Sequence, residues 1–235
     1  MNGMIVQSQD AVTLVGGGPV TRRDMAFAMA RAPVVVAADG GADRVLAAGI
    51  MPRAVIGDFD SITEGAQAAI APERLFRIAE QDSTDFDKVL RSVDAPFVLA
   101  LGVTGARMDH SLAVLNALVR HKGCACLVIS GMDVIFHVPL AVTLNLRIGD
   151  RFSLFPMAPT SGKSQGLHWP IDGLALSPDG KTSTSNKVSQ PLVRLQFDRP
   201  GMLVILPRAR LDVAISALVP KWRGRHRAQP GVRGE

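Results

Sequence analysis

Residues 34–49 read VVVAADGGADRVLAAG, and this stretch decides the fold. It begins with five consecutive apolar residues, Val34–Ala38, a pattern typical of a parallel strand that is buried on both faces. A short acidic and glycine-rich exit (DGG, 39–41) leads into a helical segment at Ala42–Ala48, and Gly49 follows at a position that favours a helix end. A buried strand that passes through a tight turn into a helix predicts a layered α/β domain with a mainly parallel sheet.

The same alternation of strand and helix extends on both sides of this stretch. Further strands are predicted at Ala11–Val15, Ala54–Ile56, Leu75–Ile78, Phe97–Leu101 and Ala125–Ser130. Helices are predicted from Thr21, which opens a capping-box pattern, to Arg31, and at Thr84–Ser92 and Asp109–His121.

The pattern changes near residue 133. Short β-like stretches follow at Val134–Val138, Val142–Leu146, Arg151–Phe155, Leu192–Phe197 and Met202–Leu206. Turns are expected at Pro159–Gly166 and Ser177–Gly180, and a last helix at Ala209–Val219. The sequence therefore predicts an α/β domain at 1–133, an antiparallel β-sandwich domain at 134–220 and a basic, flexible tail at 221–235.

Composition and charge narrow the classes of function. The chain has 235 residues, of which 47% are hydrophobic and 20% charged, so it can bury a substantial core and is not a disordered protein. Its net charge of +5 and pI near 9.8 suggest a nucleic-acid partner. However, residues 1–133 carry a net charge of −3, while 134–220 and 221–235 each carry +4. Binding to nucleic acid through the tail is therefore a weaker alternative.

The sequence also indicates where in the cell the protein is found. The longest apolar run, around Ala32–Ala38, is far shorter than the ~20 residues of a membrane-spanning helix, so no membrane partner is expected. The first ten residues do not resemble a secretion signal. Cys124 and Cys126 are one residue apart, a spacing that favours reduced core thiols over a disulfide or a metal site. We therefore expect a cytoplasmic protein.

Acidic residues follow the predicted strands of the α/β domain. Ligands of open α/β sheets bind at the carboxyl ends of the strands. The exits there contain Asp39, then Asp58 and Asp60 in GDFDS, then Gln81–Asp85, and then Gly102–Asp109. Two carboxylates separated by one residue in a loop suit a hard cation. Each motif alone can have a purely structural role, as a turn or as a helix cap. Because acidic motifs occur at four successive strand exits, they predict a Mg²⁺–nucleotide site.

Cationic and capping residues follow the same exits. Thr84 is positioned as a helix N-cap, so that Asp85 lies in the first turn of the helix. Lys88 and Arg107 supply positive charge for phosphate groups. The alternative is that Lys88 and Arg91 form a solvated helix face and that Thr84 and Asp85 only cap the helix.

Taken together, these motifs resemble the thiamine pyrophosphokinase family. The resemblance rests on ADGGADRVL from residue 38, GDFDS from 57, QDSTDFDKVL from 81, LGVTGARMDHSL from 101, GLHWPIDGLAL from 166 and STSN from 183, and it covers roughly residues 12–206. It implies an ATP-binding α/β domain, a β-sandwich domain and a homodimer with its active sites between subunits. It also implies transfer of a pyrophosphoryl group from ATP to the hydroxyethyl oxygen of thiamine, which gives thiamine diphosphate and AMP.

The resemblance also assigns residues to roles. Asp58, Asp60 and Asp85 are implied as ligands of Mg²⁺, and Asp109 as a further catalytic carboxylate. The residues implied in ATP binding are Asp39, Gly40, Gly41, Gln81, Thr84, Lys88 and Arg107. The residues implied in thiamine binding, across the dimer, are Ser183, Ser185, Asn186 and Trp169.

The sequence departs from the family pattern at two positions and leaves two roles with alternatives. The chain departs from the family pattern at Ala106, where a second glycine is expected, and at Val114, where an Asn is often found. Trp169 either stacks on substrate or packs in the core, and either Asp58 or Asp109 serves as the general base. A nucleotide or thiamine sensor that has lost turnover is the alternative function.

Overall fold

The computed structural model of the chain describes residues 3–121 and 123–222. The predicted basic tail at 221–235 therefore lies outside the described residues, apart from Lys221 and Trp222. Among the helices in the described ranges, none has both the length and the apolar character needed to cross a membrane.

The first half of the chain forms a parallel sheet flanked by helices. Its elements, in chain order, are β1 (Val6–Gln7), β2 (Val12–Val15), α1 (Arg22–Met29), β3 (Val34–Ala38), α2 (Gly41–Ala47), β4 (Ala54–Gly57), α3 (Glu64–Ala69), β5 (Leu75–Arg77), α4 (Asp85–Ser92), β6 (Val93–Asp94), β7 (Val98–Leu101), α5 (Met108–Arg120) and β8 (Cys126–Ser130). The strands β8, β7, β2, β3, β4 and β5 pair in that order, and all of these pairs are parallel. Their carboxyl ends therefore lie along one edge of the sheet.

The second half is antiparallel. Its elements are β9 (Asp133–His137), β10 (Ala141–Asn145), β11 (Arg151–Pro156), β12 (Thr160–Gln165), β13 (Ala175–Leu176), β14 (Ser183–Lys187), β15 (Leu192–Phe197), β16 (Met202–Pro207) and α6 (Leu211–Leu218). Strands β9, β16, β11 and β14 extend the first sheet to ten strands, and β10, β15, β12 and β13 form a second sheet. The mixed architecture predicted from the sequence is confirmed.

The two antiparallel layers share one hydrophobic core. Phe136 and Phe152 of the large sheet and Leu144 and Leu195 of the small one belong to the same buried cluster. Each of these side chains is at most 2% exposed, and burial of a side chain of this size contributes about 1.5–3 kcal/mol. Ile215 of α6 joins the same cluster. This packing has the form of a β-sandwich closed by a helix.

The large sheet is continuous across residue 133. Strand β8 pairs with β9 through a tight turn in which Ser130 faces Asp133. The first antiparallel strand therefore joins the parallel strands directly. The division into domains at 133 stays a prediction, since one sheet runs through that position.

Several local signals are confirmed. The side chain of Thr21 accepts a hydrogen bond from the Asp24 backbone, and the Asp24 side chain accepts one from Thr21, so the capping box is present. Strand Val34–Ala38 has the predicted bounds. Cys124 and Cys126 are free thiols.

The predicted turn at Pro159–Gly166 is wrong. Residues Thr160–Gln165 form β12, which pairs with both β13 and β15. Its TSGKSQ sequence has no apolar alternation, but Asp198 accepts hydrogen bonds from the hydroxyls of Thr160 and Ser161 and from the Ser161 amide. Pairing with a neighbouring strand therefore determines this strand, not its own propensity. The short strands β1, β6, β13 and β14 also have no clear signal in the sequence.

Candidate active site

The predicted nucleotide-site residues follow neighbouring strands. Asp39 comes directly after β3, Asp58 directly after β4, and Gln81 four residues after β5. These three strands are adjacent in the sheet, with Ala38 paired to Ile56 and Gly57 paired to Arg77. The sheet therefore brings these exits together at one edge.

Asp39 is the most constrained of the acidic residues. Only 2% of it is exposed, and its φ of +42° lies in the left-handed region. Its carboxylate accepts hydrogen bonds from the backbone amides of Ser61 and Ile62, each at 3.1 Å. Burial is the main cause that raises the pKa of Asp39 to about 6, and the carboxyls of Asp60 and Asp85 act in the same direction. Asp39 thus ties the β3 exit to the GDFDS loop.

Three carboxylates form a compact cluster. Asp39, Asp58 and Asp60 each offer an oxygen, and these oxygens lie within 4.8 Å of one another. Phe59, between Asp58 and Asp60, has a φ of +68°. The hydroxyl of Ser61 donates to the Asp60 carboxylate at 2.7 Å. A group of oxygen ligands at this spacing is suited to a hard divalent cation.

Lys88 lies beside this cluster and is only 1% exposed. Its ammonium is 3.1 Å from Asp58 Oδ2 and 3.0 Å from Asp85 Oδ1, and Gln81 Nε2 donates to the same Asp58 oxygen at 3.1 Å. Burial alone would raise the pKa of Asp58, but the hydrogen bond and the charge of Lys88 outweigh it and hold the pKa below its usual range. Burial raises the pKa of Asp85, with Lys88 opposing.

Gly57 allows two of these acids to approach each other. A Cβ at this position would be 2.8 Å from Asp39 Cβ and 3.2 Å from Asp85 Oδ1. Real Cβ atoms do not tolerate the first distance. The glycine therefore lets the β3 exit and the start of α4 meet over the end of β4.

Two glycine-rich loops meet at the same sheet edge. The Gly18 amide donates to the carbonyl of Gly102 at 2.8 Å, and a Cβ at Gly18 would be 2.6 Å from that oxygen. These loops follow β2 and β7, which are paired in the sheet. Arg44 of α2 donates from Nε to the carbonyl of Gly17 at 3.3 Å. The side chain of Arg44 therefore joins α2 to the glycine-rich loop after β2.

Not all of the predicted residues lie in the cluster. Asp85 belongs to the Lys88 ion pair, and Thr84 caps α4 by accepting a hydrogen bond from the Asp87 amide. Arg107 and Asp109 form an exposed ion pair with each other at the start of α5, with the side chains 65% and 63% exposed. Gly40 and Gly41 begin α2 directly after Asp39.

The predicted thiamine-side residues group together on and beside β14. Asn186 is 2% exposed, and its amide donates to the carbonyl of Trp169 at 2.7 Å and accepts from the Trp169 amide at 3.2 Å. It also donates to the Ser183 hydroxyl at 3.3 Å. Ser185 has a φ of +58°, and its amide donates to Ser153 Oγ across a register shift between β11 and β14. Asn186 therefore holds the backbone of this group in place.

Trp169 is on the surface. It is 56% exposed, and its ring makes an edge contact with His168 at 4.4 Å between centroids. The alternative that Trp169 packs in the core is therefore wrong within the single chain.

Comparison with known proteins identifies the family. Residues 26–128 match the family model described as thiamin pyrophosphokinase, catalytic domain. Residues 137–202 match the model described as thiamin pyrophosphokinase, vitamin B1 binding domain. The chain belongs to the thiamin pyrophosphokinase family.

Sequence alignments with members of the family cover about half to three quarters of this chain. It is 28% identical over 202 residues to thiamine pyrophosphokinase 1 of Oryza sativa subsp. japonica, covering 72% of this chain and 76% of that one. It is 33% identical over 116 residues to the Bacillus subtilis enzyme, covering 46% and 54% of the two chains.

Solved structures of the family have the same fold. Thiamin pyrophosphokinase from Candida albicans aligns with a TM-score of 0.74 at 17% identity, covering 88% of this chain and 93% of that one. The yeast enzyme aligns with a TM-score of 0.68 at 18% identity, covering 89% of each chain. At these identities the likeness shows the fold alone.

Sequence reasoning missed two features of the site. It placed Asp39 with the nucleotide ligands, although Asp39 shares the acidic cluster with Asp58 and Asp60. It also overlooked Arg44 and Arg77, whose hydrogen bonds to the carbonyls of Gly17 and Asp58 join residues far apart in the chain. The position of Arg77 as the last residue of β5, beside the end of β4, is the signal that could have found it.

Proposed function

We propose that this protein transfers the pyrophosphoryl group of ATP to the hydroxyethyl oxygen of thiamine, giving thiamine diphosphate and AMP. The observation that carries the proposal is the cluster of Asp39, Asp58 and Asp60 at the carboxyl edge of the sheet, in a chain that belongs to this family. A protein of this family that carries a compact acidic cluster is equipped for metal-assisted phosphoryl transfer.

The cluster fits Mg²⁺ by the chemistry of its donors. Its oxygens are carboxylates, the hard ligands that Mg²⁺ prefers, and a site with two or three of them leaves positions for substrate phosphates. Asp39, Asp58 and Asp60 would hold the ion, whereas the sequence suggested Asp85 as the third ligand. When bound, Mg²⁺ neutralises charge on the polyphosphate and orients it.

The chain's own residues then position and stabilise the reacting groups. Lys88 and Gln81 hold the Asp58 carboxylate in place by hydrogen bonds, and the Lys88 ammonium also binds Asp85. In the reaction, a bond forms between the thiamine oxygen and the β-phosphorus, and the bond from that phosphorus to the α-phosphate oxygen breaks. The hydroxyl proton passes to a carboxylate base, and AMP leaves.

The thiamine site belongs, in this proposal, to the group around Trp169. Thiamine is a cation, and the exposed Trp169 ring offers a face for cation–π contact. Ser183 and Ser185 lie near it on β14 and supply hydroxyls. Asn186 does not contact thiamine in this proposal; its side-chain amide fixes the Trp169 backbone by a hydrogen bond to the Trp169 carbonyl.

A homodimer joins the two halves of the site. Strands β14 and β4 are eight places apart in the ten-stranded sheet, which corresponds to roughly 38 Å measured along the sheet. One chain therefore does not bring its own Trp169 group to its own acidic cluster along the sheet. We infer that the thiamine group of one subunit faces the cluster of its partner. The free thiols Cys124 and Cys126 fit the cytoplasmic location that the sequence predicts.

Direct measurement of AMP tests the function. The purified protein, incubated with ATP, thiamine and Mg²⁺, should form AMP and thiamine diphosphate in equal amounts, with no AMP in the absence of thiamine. Asp60→Asn should reduce this rate by at least a hundredfold with an unchanged circular dichroism spectrum, because it removes a carboxylate of the cluster. Asp179→Asn, at an exposed acid in the turn after β13, is the control and should retain the rate.

The outcomes separate the alternatives. Binding of ATP and thiamine without AMP formation would overturn the enzyme and support the sensor. An Asp60→Asn variant with activity within a few-fold of the wild type would overturn the metal assignment.

A further inference from the structure

The cations that the sequence assigned to ATP already have acidic partners. Lys88 is buried between Asp58 and Asp85, and Arg107 is paired with Asp109 on the surface of α5. Phosphate groups bound at the cluster therefore need a further positive group. The need for this group rests on the proposed function, since it arises only if the chain binds ATP.

Arg77 is placed to be that group. Arg77 is the last residue of β5, next to the end of β4, and it is exposed to solvent. Its Nε donates to the main-chain oxygen of Asp58 at 3.0 Å, and this hydrogen bond does not use the two terminal nitrogens. In the described ranges no ion pair joins Arg77 to a carboxylate. By contrast, Arg31, Arg91, Arg120, Arg151, Arg208 and Arg210 all have carboxylate partners.

The acidic site has an excess of negative charge that a guanidinium would offset. Asp39, Asp58, Asp60 and Asp85 outnumber the ammonium of Lys88 by three charges when all are ionised. A divalent ion leaves the site negative, and a triphosphate brings several more negative charges. A fixed cation beside the Asp58 loop offsets this repulsion where the polyphosphate must lie.

We propose that Arg77 binds the polyphosphate of ATP, with its terminal nitrogens on non-bridging phosphate oxygens and its Nε anchored on the Asp58 carbonyl. The planar guanidinium serves both contacts at once, one to the backbone and one to phosphate. Arg77 is therefore a substrate-binding residue at the end of β5, outside the motifs that carry the family resemblance.

Equilibrium binding of MgATP in the absence of thiamine tests this role. Arg77→Gln should weaken MgATP binding by about ten- to a hundredfold, as expected when a charge-assisted hydrogen bond is lost. Binding of AMP should change less than twofold, because AMP lacks the β- and γ-phosphates. Arg77→Lys should recover part of the affinity, because lysine keeps the positive charge but lacks the paired N–H donors of the planar guanidinium.

Arg74 supplies the matched control. Its guanidinium also donates to a backbone carbonyl, that of Pro52 at 2.8 Å, but at the opposite end of β4. Arg74→Gln should leave MgATP affinity within twofold of the wild type. An equal loss in Arg74→Gln and Arg77→Gln would overturn the proposal.

A metal measurement separates phosphate binding from loop positioning. Mn²⁺ binding to the protein without nucleotide, followed by electron paramagnetic resonance, should be unchanged or slightly stronger in Arg77→Gln. Weaker Mn²⁺ binding, or MgATP affinity within twofold of the wild type, would overturn the direct role. A wild-type protein that binds MgATP through Arg77 but forms no AMP would overturn the proposed function and leave this inference standing, whereas a wild type that binds no MgATP would overturn both.

Discussion

The ammonium of Lys88 lies 3.1 Å from Asp58 and 3.0 Å from Asp85, although Asp58 is thirty residues away in the chain. The lysine comes from α4 and Asp58 from the exit of β4. Burial lowers the pKa of Lys88, but its two carboxylate partners outweigh burial and raise it above its usual value. Lys88 therefore stays charged and joins α4 to the GDFDS loop.

Replacement of Lys88 by Met should damage both stability and activity. It leaves Asp58 and Asp85 close together without their counter-charge, and breaking a buried pair of this kind costs about 3–5 kcal/mol. Urea unfolding should show this loss, and added Mg²⁺ should restore part of it because the unpaired carboxylates attract the ion. Lys181→Met, at an exposed lysine, should change the unfolding free energy by less than about 0.5 kcal/mol. Unaltered stability of Lys88→Met would contradict this account.

Mixed dimers should recover activity from two inactive proteins. Asp60→Asn inactivates the ATP side and Trp169→Ala the thiamine side, so a heterodimer of the two contains one intact site if the sites lie between subunits. Random pairing makes half of the dimers mixed, and the co-expressed mixture should reach about a quarter of wild-type activity. A mixture of Asp60→Asn with Lys88→Met, both on the ATP side, should stay inactive. Recovery in neither mixture would show that each chain forms its own site.

Gly57→Ala should displace the acidic residues that pack against this glycine. The new Cβ would lie 2.8 Å from Asp39 Cβ, so that the β3 exit or α4 must move, at a cost of about 1–3 kcal/mol. We expect a lower unfolding free energy and weaker Mn²⁺ binding. Gly65→Ala on α3 is the control, because nothing lies within 4 Å of its Cβ and alanine should stabilise the helix by up to about 1 kcal/mol. Equal behaviour of the two variants would contradict the close approach at Gly57.

The ion pair of Asp150 and Arg210 should make stability depend on pH in acid. The hydrogen bonds and charge of Arg210 hold the pKa of Asp150 below its usual value in the folded state. The contribution is therefore complete above the unfolded pKa near 4 and is lost as pH falls through the lowered folded pKa. Asp150→Asn should cost about 1–3 kcal/mol at pH 7 and progressively less below pH 4.

The control for this pH effect is a more exposed pair. Asp133 and Arg151 have side chains that are 32% and 42% exposed, and Asp133→Asn should cost less than about 1 kcal/mol. A difference between Asp150→Asn and the wild type that does not change between pH 7 and pH 2 would contradict the assignment.

The strand exits could be predicted from the sequence, but their contacts could not. Strand Val34–Ala38 and the cap at Thr84 were readable because apolar runs and capping residues act locally. Asp85 and Lys88 are three residues apart on one helix, so their pairing also has a local basis. The position of Asp39 in the cluster depends on the register of β3 against β4, which no local pattern specifies. The same limit applies to β12, a strand determined by its neighbours.

The sequence by itself determined the α/β and antiparallel halves, the acidic strand exits and the family, because these follow from short-range periodicity and from motifs in a particular order. Only the tertiary structure decided which carboxylates share a cluster, that Lys88 is already paired, that Trp169 is exposed, and that Arg77 lies beside the Asp58 loop. The physical reason is distance along the chain. Charges and hydrogen bonds act over a few ångströms in space, and the packing of strands and helices decides which distant residues come within that range.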